Sequence, residues 1–187
     1  LLAHTLSYKL ASKLAIKAEG GLHPKHRLMG YHQFFLQHIK PNDTVLDIGC
    51  GNGALAYDLA KQAKHVTGID INSNNRTAWS ERYVATNISY HNADATTYQP
   101  EKTFDIVVLS NVLEHIEHRI EFLKKIKRFA PLLLIRVPMI NRDWITLYKK
   151  ELDMDYRLDK THFIEYTVET FNQELIASGL TCTSSSV

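Results

Sequence analysis

The stretch "VLDIGCGNGALA", residues 45–56, is the most informative part of the sequence. A short apolar run in it leads directly into a turn that holds three glycines. The first four residues are typical of a buried strand, whereas glycine is unfavourable inside regular structure. Alternating glycines after a strand indicate a tight turn whose bare backbone a ligand can approach closely. The sequence therefore predicts a ligand site where this strand ends.

Strand-like and helix-like segments alternate along the chain on either side of this turn. The predicted strands cover residues 44–48, 65–70, 88–94, 104–110 and 132–138, and a last strand is predicted from Leu180. The predicted helices cover residues 54–63, 73–84, 117–130 and 168–178, and residues 140–166 show no clear period. This alternation implies right-handed crossovers. The predicted fold class is α/β, with a Rossmann-like, doubly wound and mostly parallel sheet.

An N-terminal helical extension is predicted ahead of the sheet, because apolar residues recur at helical spacing in residues 1–18 and 26–39. The total of 187 residues suits one domain, and the formal net charge of +2 is too small to indicate nucleic acid or an anionic membrane. Two cysteines make no disulfide framework, so we expect reduced thiols and a cytoplasmic protein.

Three acids follow predicted strands and bear on the identity of the ligand. The segment "GCGNGA" with Asp70 also fits the dinucleotide-binding fingerprint, so this motif alone does not separate NAD from S-adenosylmethionine. Asp47 stands two residues before the first glycine, and its carboxylate would attract an ammonium and a sulfonium but oppose a pyrophosphate. Asp94, after the third strand, could accept a hydrogen bond from an adenine amino group. These acids favour S-adenosylmethionine.

A second pattern is typical of short-chain dehydrogenases, in which a tyrosine and a lysine four residues apart transfer a proton. Tyr156 and Lys160 have this spacing. The glycine motif of those enzymes is spaced differently, and they carry a serine before the tyrosine where this chain has Asp143 and its neighbours. The pair is therefore interpreted as coincidental.

Residues 40–180 resemble the class I S-adenosylmethionine-dependent methyltransferases, and in particular the small enzymes of the ubiquinone-pathway type. The resemblance rests on "VLDIGCGNG", "VTGIDIN", "HNADA", "FDIVVLSNVLEHI", "LLLIRVPM" and "HFIEYTVETFNQELIASGL". It implies a seven-stranded sheet that ends in a hairpin, of which the last strand is missing here. The expected domains are an N-terminal helical cap, residues 1–40, and an S-adenosylmethionine-binding methyltransferase domain, residues 41–187, truncated at its C-terminus.

The resemblance also implies roles for individual residues. Those expected to bind the cofactor are Asp47, Gly49, Cys50, Gly51, Gly53, Asp70, Ile71, Asp94, Ala95 and Asn111. Within this set the glycine turn and Asn111 would meet the methionyl part, Asp70 the ribose hydroxyls, and Ile71 and Asp94 the adenine. The N-terminal segment with "HPKHR" would lie over the cofactor and the acceptor.

Histidine is the expected general base, because its ordinary pKa of about 6.5 suits proton transfer near neutral pH. The candidates are His115, after the fourth strand, and His162. Other candidates for the acceptor pocket are Tyr31, His32, Arg136, Glu165 and Tyr166. The pairs His23/His26 and His115/His118 have no nearby partners in sequence that would complete a zinc site, so no metal is predicted.

The acceptor is predicted to be a small molecule, with oxygen favoured over nitrogen as the methylated atom. The segment "SNVLEH" lacks the Pro-Pro-aromatic stretch that is common in enzymes that methylate nucleic-acid bases, so nucleic acid is not an expected partner. Two alternatives stay open: an NAD(P)-dependent oxidoreductase and a cofactor-binding module without turnover. The sequence makes no prediction of the oligomeric state.

Overall fold

The computed structural model describes residues 2–20, 24 and 28–185, with side chains from residue 6 onward. The apolar segments predicted as strands form one sheet in this structure. Its strands are β1 (Thr44–Ile48), β2 (His65–Asp70), β3 (Ile88–Asn92), β4 (Ile106–Ser110) and β5 (Leu132–Arg136). They lie in the order β3-β2-β1-β4-β5, and every neighbouring pair is parallel. The predicted α/β class is confirmed.

The order of the strands reverses at β1. The chain runs from β1 outward through β2 to β3, and then crosses back so that β4 lies on the other side of β1. Asp47 of β1 has Gly68 of β2 and Val108 of β4 as its register neighbours. Ligands of such sheets bind beyond the carboxyl ends of the strands at this reversal, which is where the glycine turn lies.

Helices cover both faces of the sheet. They are α1 (Leu2–Ala18), α2 (Gln33–Leu36), α3 (Ala54–Ala60), α4 (Arg76–Glu81), α5 (Arg119–Ile126), α6 (Trp144–Glu151) and α7 (Val168–Ala177), with 3-10 turns at Ser73–Asn75, Leu113–His115 and Ile140–Arg142. The start of α7 is fixed by a capping box, because the side chains of Thr167 and Thr170 each accept from the other residue's backbone N–H.

Alternate residues of the strands pack against two separate layers of helices. On one face the core of β1 and β4 meets α5 and α7, through Leu46, Ile48, Leu109, Leu123, Ile126 and Leu175. On the other face it meets α2 and α3, through Val45, Val108, Phe35, Leu55 and Leu59. β1 and β4 are buried on both faces, as their nearly continuous apolar sequences require.

Two of the predicted elements are wrong. The helix predicted over residues 26–39 is not continuous: in the described part of this range, residues 28–29 are helical, residues 30–32 form turns, and α2 adds one further helical turn. The strand predicted from Leu180 does not form, because residues 180–185 have no sheet pairing. A strand is stable only with a partner for its backbone groups, and no other described strand pairs with this segment.

No helix in the described part of the chain combines the length and the apolar character that a membrane span requires. The segment "HPKHR" and the pair His23/His26 fall in residues 21–23 and 25–27, with only Pro24 described, so these predictions lie outside the described residues.

Candidate cofactor site and active site

The glycine turn takes a backbone conformation that only glycine adopts without strain. Gly49, Gly51 and Gly53 have φ values of 69°, 54° and 91°. A Cβ atom on Gly49 would lie 2.5 Å from Cγ2 of Val112, which follows β4, so the turn passes directly against that segment. A Cβ atom on Gly51 would meet nothing within 4 Å, so this residue faces open space. At Gly49 the turn therefore packs against the segment after β4, and at Gly51 it is accessible from outside. A ligand-binding turn requires both features.

The backbone N–H groups of the turn are engaged within the protein. Those of Gly49 and Cys50 donate to the Ile69 carbonyl at 2.8 and 3.0 Å, and that of Gly51 donates to Asp70 Oδ2 at 2.8 Å. An approaching anion would therefore have to compete with a carbonyl and a carboxylate for these donors. These three N–H groups are therefore not free to bind a pyrophosphate.

Asp47 lies directly behind the turn with 1% of its surface exposed. Its Oδ2 atom is buried and has no hydrogen-bond partner among the described residues. Burial and the neighbouring charge of Asp70 raise the pKa of this carboxyl to about 8. A buried acid without a partner is costly, and a bound cation would remove that cost.

Asp70 connects the turn to the loop after β2. Besides the Gly51 N–H, its carboxylate accepts from the Asn72 N–H at 2.8 Å and from Asn75 Nδ2 at 3.3 Å. The next residue, Ile71, is 70% exposed, although it is a large apolar side chain beside a charged rim. The rim of the turn therefore has a carboxylate fixed by three hydrogen bonds beside an exposed apolar side chain.

The other residues predicted to bind cofactor lie at neighbouring strand ends. Asp94 and Ala95 follow β3 and are half-buried, and Asp94 Oδ1 accepts from the N–H and hydroxyl of Thr96 at 2.8 and 2.7 Å. Asn111 follows β4 and has a φ of 57°, which is uncommon for a residue other than glycine and is concentrated at functional sites. The Cys50 thiol is buried, and burial with the nearby charges of Asp47 and Asp70 raises its pKa. The Cys50 thiol is therefore uncharged at neutral pH.

The two predicted bases, His115 and His162, lie side by side. Their ring centroids are 4.6 Å apart, and the rings meet edge to face. The backbone holds them together, because the Phe163 N–H donates to the Glu114 carbonyl at 2.8 Å. Glu114, which the sequence analysis missed, is 1% exposed, and its Oε2 atom has no hydrogen-bond partner among the described residues.

Hydrogen bonds set the reactive nitrogen of each ring. His162 Nδ1 lies 2.8 Å from Glu165 Oε1, and His115 Nδ1 lies 2.9 Å from the Thr161 hydroxyl oxygen, which itself donates to Asp159. Each Nδ1 therefore carries the hydrogen, and Nε2 is left as the basic atom. Burial and the neighbouring His162 lower the pKa of His115. The ring is therefore neutral at physiological pH, and its Nε2 atom is free to accept a proton. His115 is exposed and His162 is buried, so His115 is the accessible base.

Donor atoms of Glu114, His115 and His162 lie within 4.8 Å of one another, and this is the one such group found among the described residues. No metal was predicted because the histidines have no partners near them in sequence, and this reason is wrong. Glu114 was overlooked, and His162 is distant in sequence and reaches His115 only through the fold. Three donors could hold a divalent cation with an open position.

The acceptor candidates divide into two sets. Tyr31 and Arg136 line a cavity of about 490 Å³ beside the end of β5. His32 instead pairs with Asp58 at 2.6 Å, and Glu165 pairs with Arg142 at 2.6 Å. Tyr166 is fully buried, with its hydroxyl donating to Glu174 at 2.6 Å. These last three residues have structural contacts and do not line the cavity.

Two aromatic residues that the sequence analysis missed support the glycine turn. Trp79 Nε1 donates to the Gly51 carbonyl at 2.9 Å, and its ring stacks on Tyr90 with centroids 5.2 Å apart. The Tyr90 hydroxyl donates to the Tyr83 carbonyl at 3.0 Å. Both look like ordinary core residues in sequence, and only the fold brings them beneath the turn.

Comparisons with known proteins agree with this geometry. A family model described as a methyltransferase domain matches residues 22–185. A probable (S)-tetrahydroprotoberberine N-methyltransferase of Papaver bracteatum is 35% identical over 103 residues, 51% of this chain and 28% of that protein. A ubiquinone biosynthesis O-methyltransferase of Rickettsia bellii is 35% identical over 103 residues, 52% of this chain and 42% of that protein. The chain thus spans less than half the length of these two relatives.

Solved structures share the fold. A candidate methyltransferase of Bacillus halodurans superposes with a TM-score of 0.64 at 19% identity, over 80% of this chain and 67% of that one. Other structures of the same fold contain S-adenosylhomocysteine, the demethylated form of S-adenosylmethionine.

Proposed function

The chain belongs to the methyltransferase-domain family, and from this premise we propose that it transfers the methyl group of S-adenosylmethionine to a small-molecule acceptor. The observation that carries the proposal is Asp47, a buried acid behind an open glycine turn whose Oδ2 atom has no hydrogen-bond partner among the described residues. An ammonium or a sulfonium is the kind of ligand that stabilises such a group.

Residues at the other strand ends fit the remainder of the cofactor. Asp70 would hold the ribose hydroxyls, Ile71 would pack on the adenine, and Asp94 with Ala95 would bind the adenine amino group. Asp94 retains a carboxylate oxygen, Oδ2, that makes no hydrogen bond within the described part of the chain. The Gly49, Cys50 and Gly51 backbone, with Gly53 opening α3, would line the methionyl end beside Asn111.

The same geometry argues against the oxidoreductase alternative. A dinucleotide places its pyrophosphate against the N–H groups of the glycine turn. Here the N–H groups of Gly49, Cys50 and Gly51 already donate to Ile69 and Asp70, and the Asp70 carboxylate would oppose the phosphates. A ligand with positive charge and a ribose suits these residues better than a pyrophosphate.

When bound, the cofactor supplies a methyl group that its sulfonium has already activated for displacement. The protein then has to position the acceptor and to remove its proton. We propose that His115 Nε2 takes the proton from the acceptor, because this ring is exposed and its Nδ1–H donates to the Thr161 hydroxyl oxygen. His162 and Glu165 support the His115 ring from the buried side.

The proposal also covers the methylated atom, the class of acceptor and the location of the protein. Relatives named for N-methylation and for O-methylation both match this chain, and the accessible histidine base favours an oxygen acceptor. The cavity at β5 has the size of a small-molecule site, so no nucleic-acid partner is proposed. Two free cysteines, Cys50 and Cys182, support a cytoplasmic location.

Transfer of labelled methyl from S-adenosylmethionine to a panel of hydroxylated and amino-bearing small molecules tests the proposal. We expect transfer by the wild-type chain, and a loss of at least about a hundredfold in His115→Ala with cofactor affinity unchanged. His118→Ala, a change of an exposed histidine outside the cluster, is the matched control. No metal is proposed, so a chelator should leave transfer unchanged. Cofactor binding without transfer to any acceptor would favour the non-catalytic module.

A further inference from the structure

We propose that the acceptor carries an oxyanion, a carboxylate or a phosphate, which the guanidinium of Arg136 binds while an apolar ring-sized body fills the cavity beside β5. This inference rests on the proposed methyl transfer, since it identifies the chemical class of that acceptor.

The cavity has walls that are almost entirely neutral. Its volume of about 490 Å³ lies within the range of small-molecule sites. The apolar lining comes from α2 and the segment before it, from the end of β5 and the residues after it, and from α7: Met29, Phe34, Ile135, Val137, Met139, Val168 and Phe171. Asn172 and Ser184 add neutral polar atoms, and Arg136 is the one charged side chain among the described lining residues.

Arg136 has only neutral direct partners. Its guanidinium carbon lies 3.8 Å from the centroid of the Tyr31 ring, and Nη1 donates to Asn111 Oδ1 at 3.3 Å. No carboxylate oxygen of the described residues lies within ion-pair distance of it. A half-buried guanidinium keeps its charge, so this site carries a positive charge that its direct contacts do not neutralise.

The nearest influence of opposite sign is Glu114, which forms no ion pair with Arg136. Burial and the nearby Glu165 raise the pKa of Glu114 to about 7, against a smaller opposing effect of Arg136. Glu114 makes no ion pair with the guanidinium, so Arg136 has no direct counter-ion among the described residues. An oxyanion from the acceptor would supply the missing charge and the planar, two-oxygen geometry that guanidinium groups bind best.

The position of Arg136 connects this cavity to the reacting site. Arg136 ends β5, its carbonyl accepts from the Asn111 N–H at 2.9 Å, and its side chain contacts Asn111 as well. Asn111 begins the segment that continues to His115. An acceptor held by its anion at Arg136 thus lies beside the strand end that carries the base. The same charge disfavours an acceptor that carries an ammonium group.

A purely structural role is the competing explanation, because stacking on Tyr31 also attaches the N-terminal segment to β5. Binding measurements separate the two roles, since a structural arginine would not distinguish an anionic probe from its neutral isostere. The probes are benzoate, phenyl phosphate and benzamide, added to the full chain with and without saturating S-adenosylhomocysteine and followed by ligand-observed NMR and calorimetry.

We expect wild-type protein to bind benzoate or phenyl phosphate at least about tenfold more tightly than benzamide, and the tighter of the two identifies the oxyanion. Arg136→Gln should abolish the preference, and Arg136→Lys should retain part of it. Arg128→Gln, which changes an exposed arginine two residues after the end of α5, should leave it unchanged. Equal binding of benzoate and benzamide, no binding of either anion, or a preference that persists in Arg136→Gln would overturn the inference.

Failure of this inference and failure of the proposed function are distinguishable in the same samples. Binding of S-adenosylhomocysteine with no preference for anions would reject the role of Arg136 and leave the methyl transfer in place. Loss of S-adenosylhomocysteine binding by wild-type protein would reject the function itself. If circular dichroism shows that Arg136→Gln is unfolded, the anion preference of Arg136→Lys is compared with that of the wild type. A preference that is not reduced in Arg136→Lys would then overturn the inference.

Discussion

Asp47 is an acid whose charge depends on what binds beside it. In the ligand-free protein its carboxyl group is buried, has an unpartnered oxygen, and has a pKa raised to about 8 by burial and by Asp70. A cation beside it would favour the ionised form. Binding of the cofactor should therefore release a proton wherever the free protein holds one, below about pH 8.

The affinity of the cofactor is predicted to rise at least about tenfold between pH 6 and pH 8. The sign follows because the bound state has lost the proton that the free state holds below its pKa. Above about pH 8 the increase should stop, because Asp47 is then ionised in the free protein as well. Calorimetry with S-adenosylhomocysteine in buffers of different ionisation enthalpy measures both the affinity and the proton release.

Asp47→Asn is the decisive variant for this prediction, because it keeps the size of the side chain and removes its titration. Its cofactor affinity should be weaker and nearly independent of pH from 6 to 8, with no proton released. An Asp155→Asn variant, which changes an exposed aspartate, should behave like wild type. A pH dependence that survives in Asp47→Asn would show that another group is responsible.

At the scale of elements, the glycine turn is determined by short-range sequence, and the sequence analysis predicted it fully. β1 and β2 were predicted with the bounds that the structure has, because they are short apolar runs that end at glycine or at an acid. By contrast α6 was missed. Its exposed face carries Trp144, Leu147 and Tyr148, and Thr146 is its buried residue, so the apolar positions do not mark the inward face.

Gly49→Ala is predicted to destabilise the fold by roughly 2–4 kcal/mol, since it combines a strained positive φ with a clash against Val112. Gly51→Ala has the same sign of φ but no atom within 4 Å of the new methyl group, so the expected loss is only about 1 kcal/mol. Urea unfolding measures both.

The double variant Gly49→Ala/Val112→Ala is the control for the clash. It should recover part of the stability beyond the loss expected from Val112→Ala alone, because the new methyl group then has room while the strained φ remains. Equal stabilities of the two single glycine variants would contradict the packing of the turn against the segment after β4.

At the scale of the whole molecule, the site is assembled from parts that the sequence places far apart. Asp47 and Asp70 could be predicted to lie close together because Asp47 is next to the last residue of β1, Asp70 is the last residue of β2, and parallel strands end at one edge. The contact of His162 with Glu114 and His115 could not, because it depends on a loop of irregular backbone that docks through the Phe163 N–H. Local pattern therefore predicts that the acids and the glycine turn lie at one edge of the sheet, and tertiary packing determines the contacts of His115 and His162.

The N-terminal helix α1 is predicted to contribute little to the stability of the sheet. None of the side chains of residues 6–20 is buried, and Leu6, Leu10 and Leu14 are each more than half exposed. Removal of residues 1–20 should therefore change the thermal midpoint by no more than about 3 °C and leave cofactor affinity unchanged. A larger loss on calorimetric scanning would show that α1 belongs to the folding unit.

The central claim is that the strand ends bind S-adenosylmethionine, and titration calorimetry of the wild-type and Asp70→Ala chains with S-adenosylhomocysteine and with NADH tests it most directly. We predict binding of S-adenosylhomocysteine to the wild type, an affinity at least about tenfold weaker in Asp70→Ala, and no binding of NADH. Binding of NADH in place of S-adenosylhomocysteine, or equal affinity in the two chains, would contradict the account.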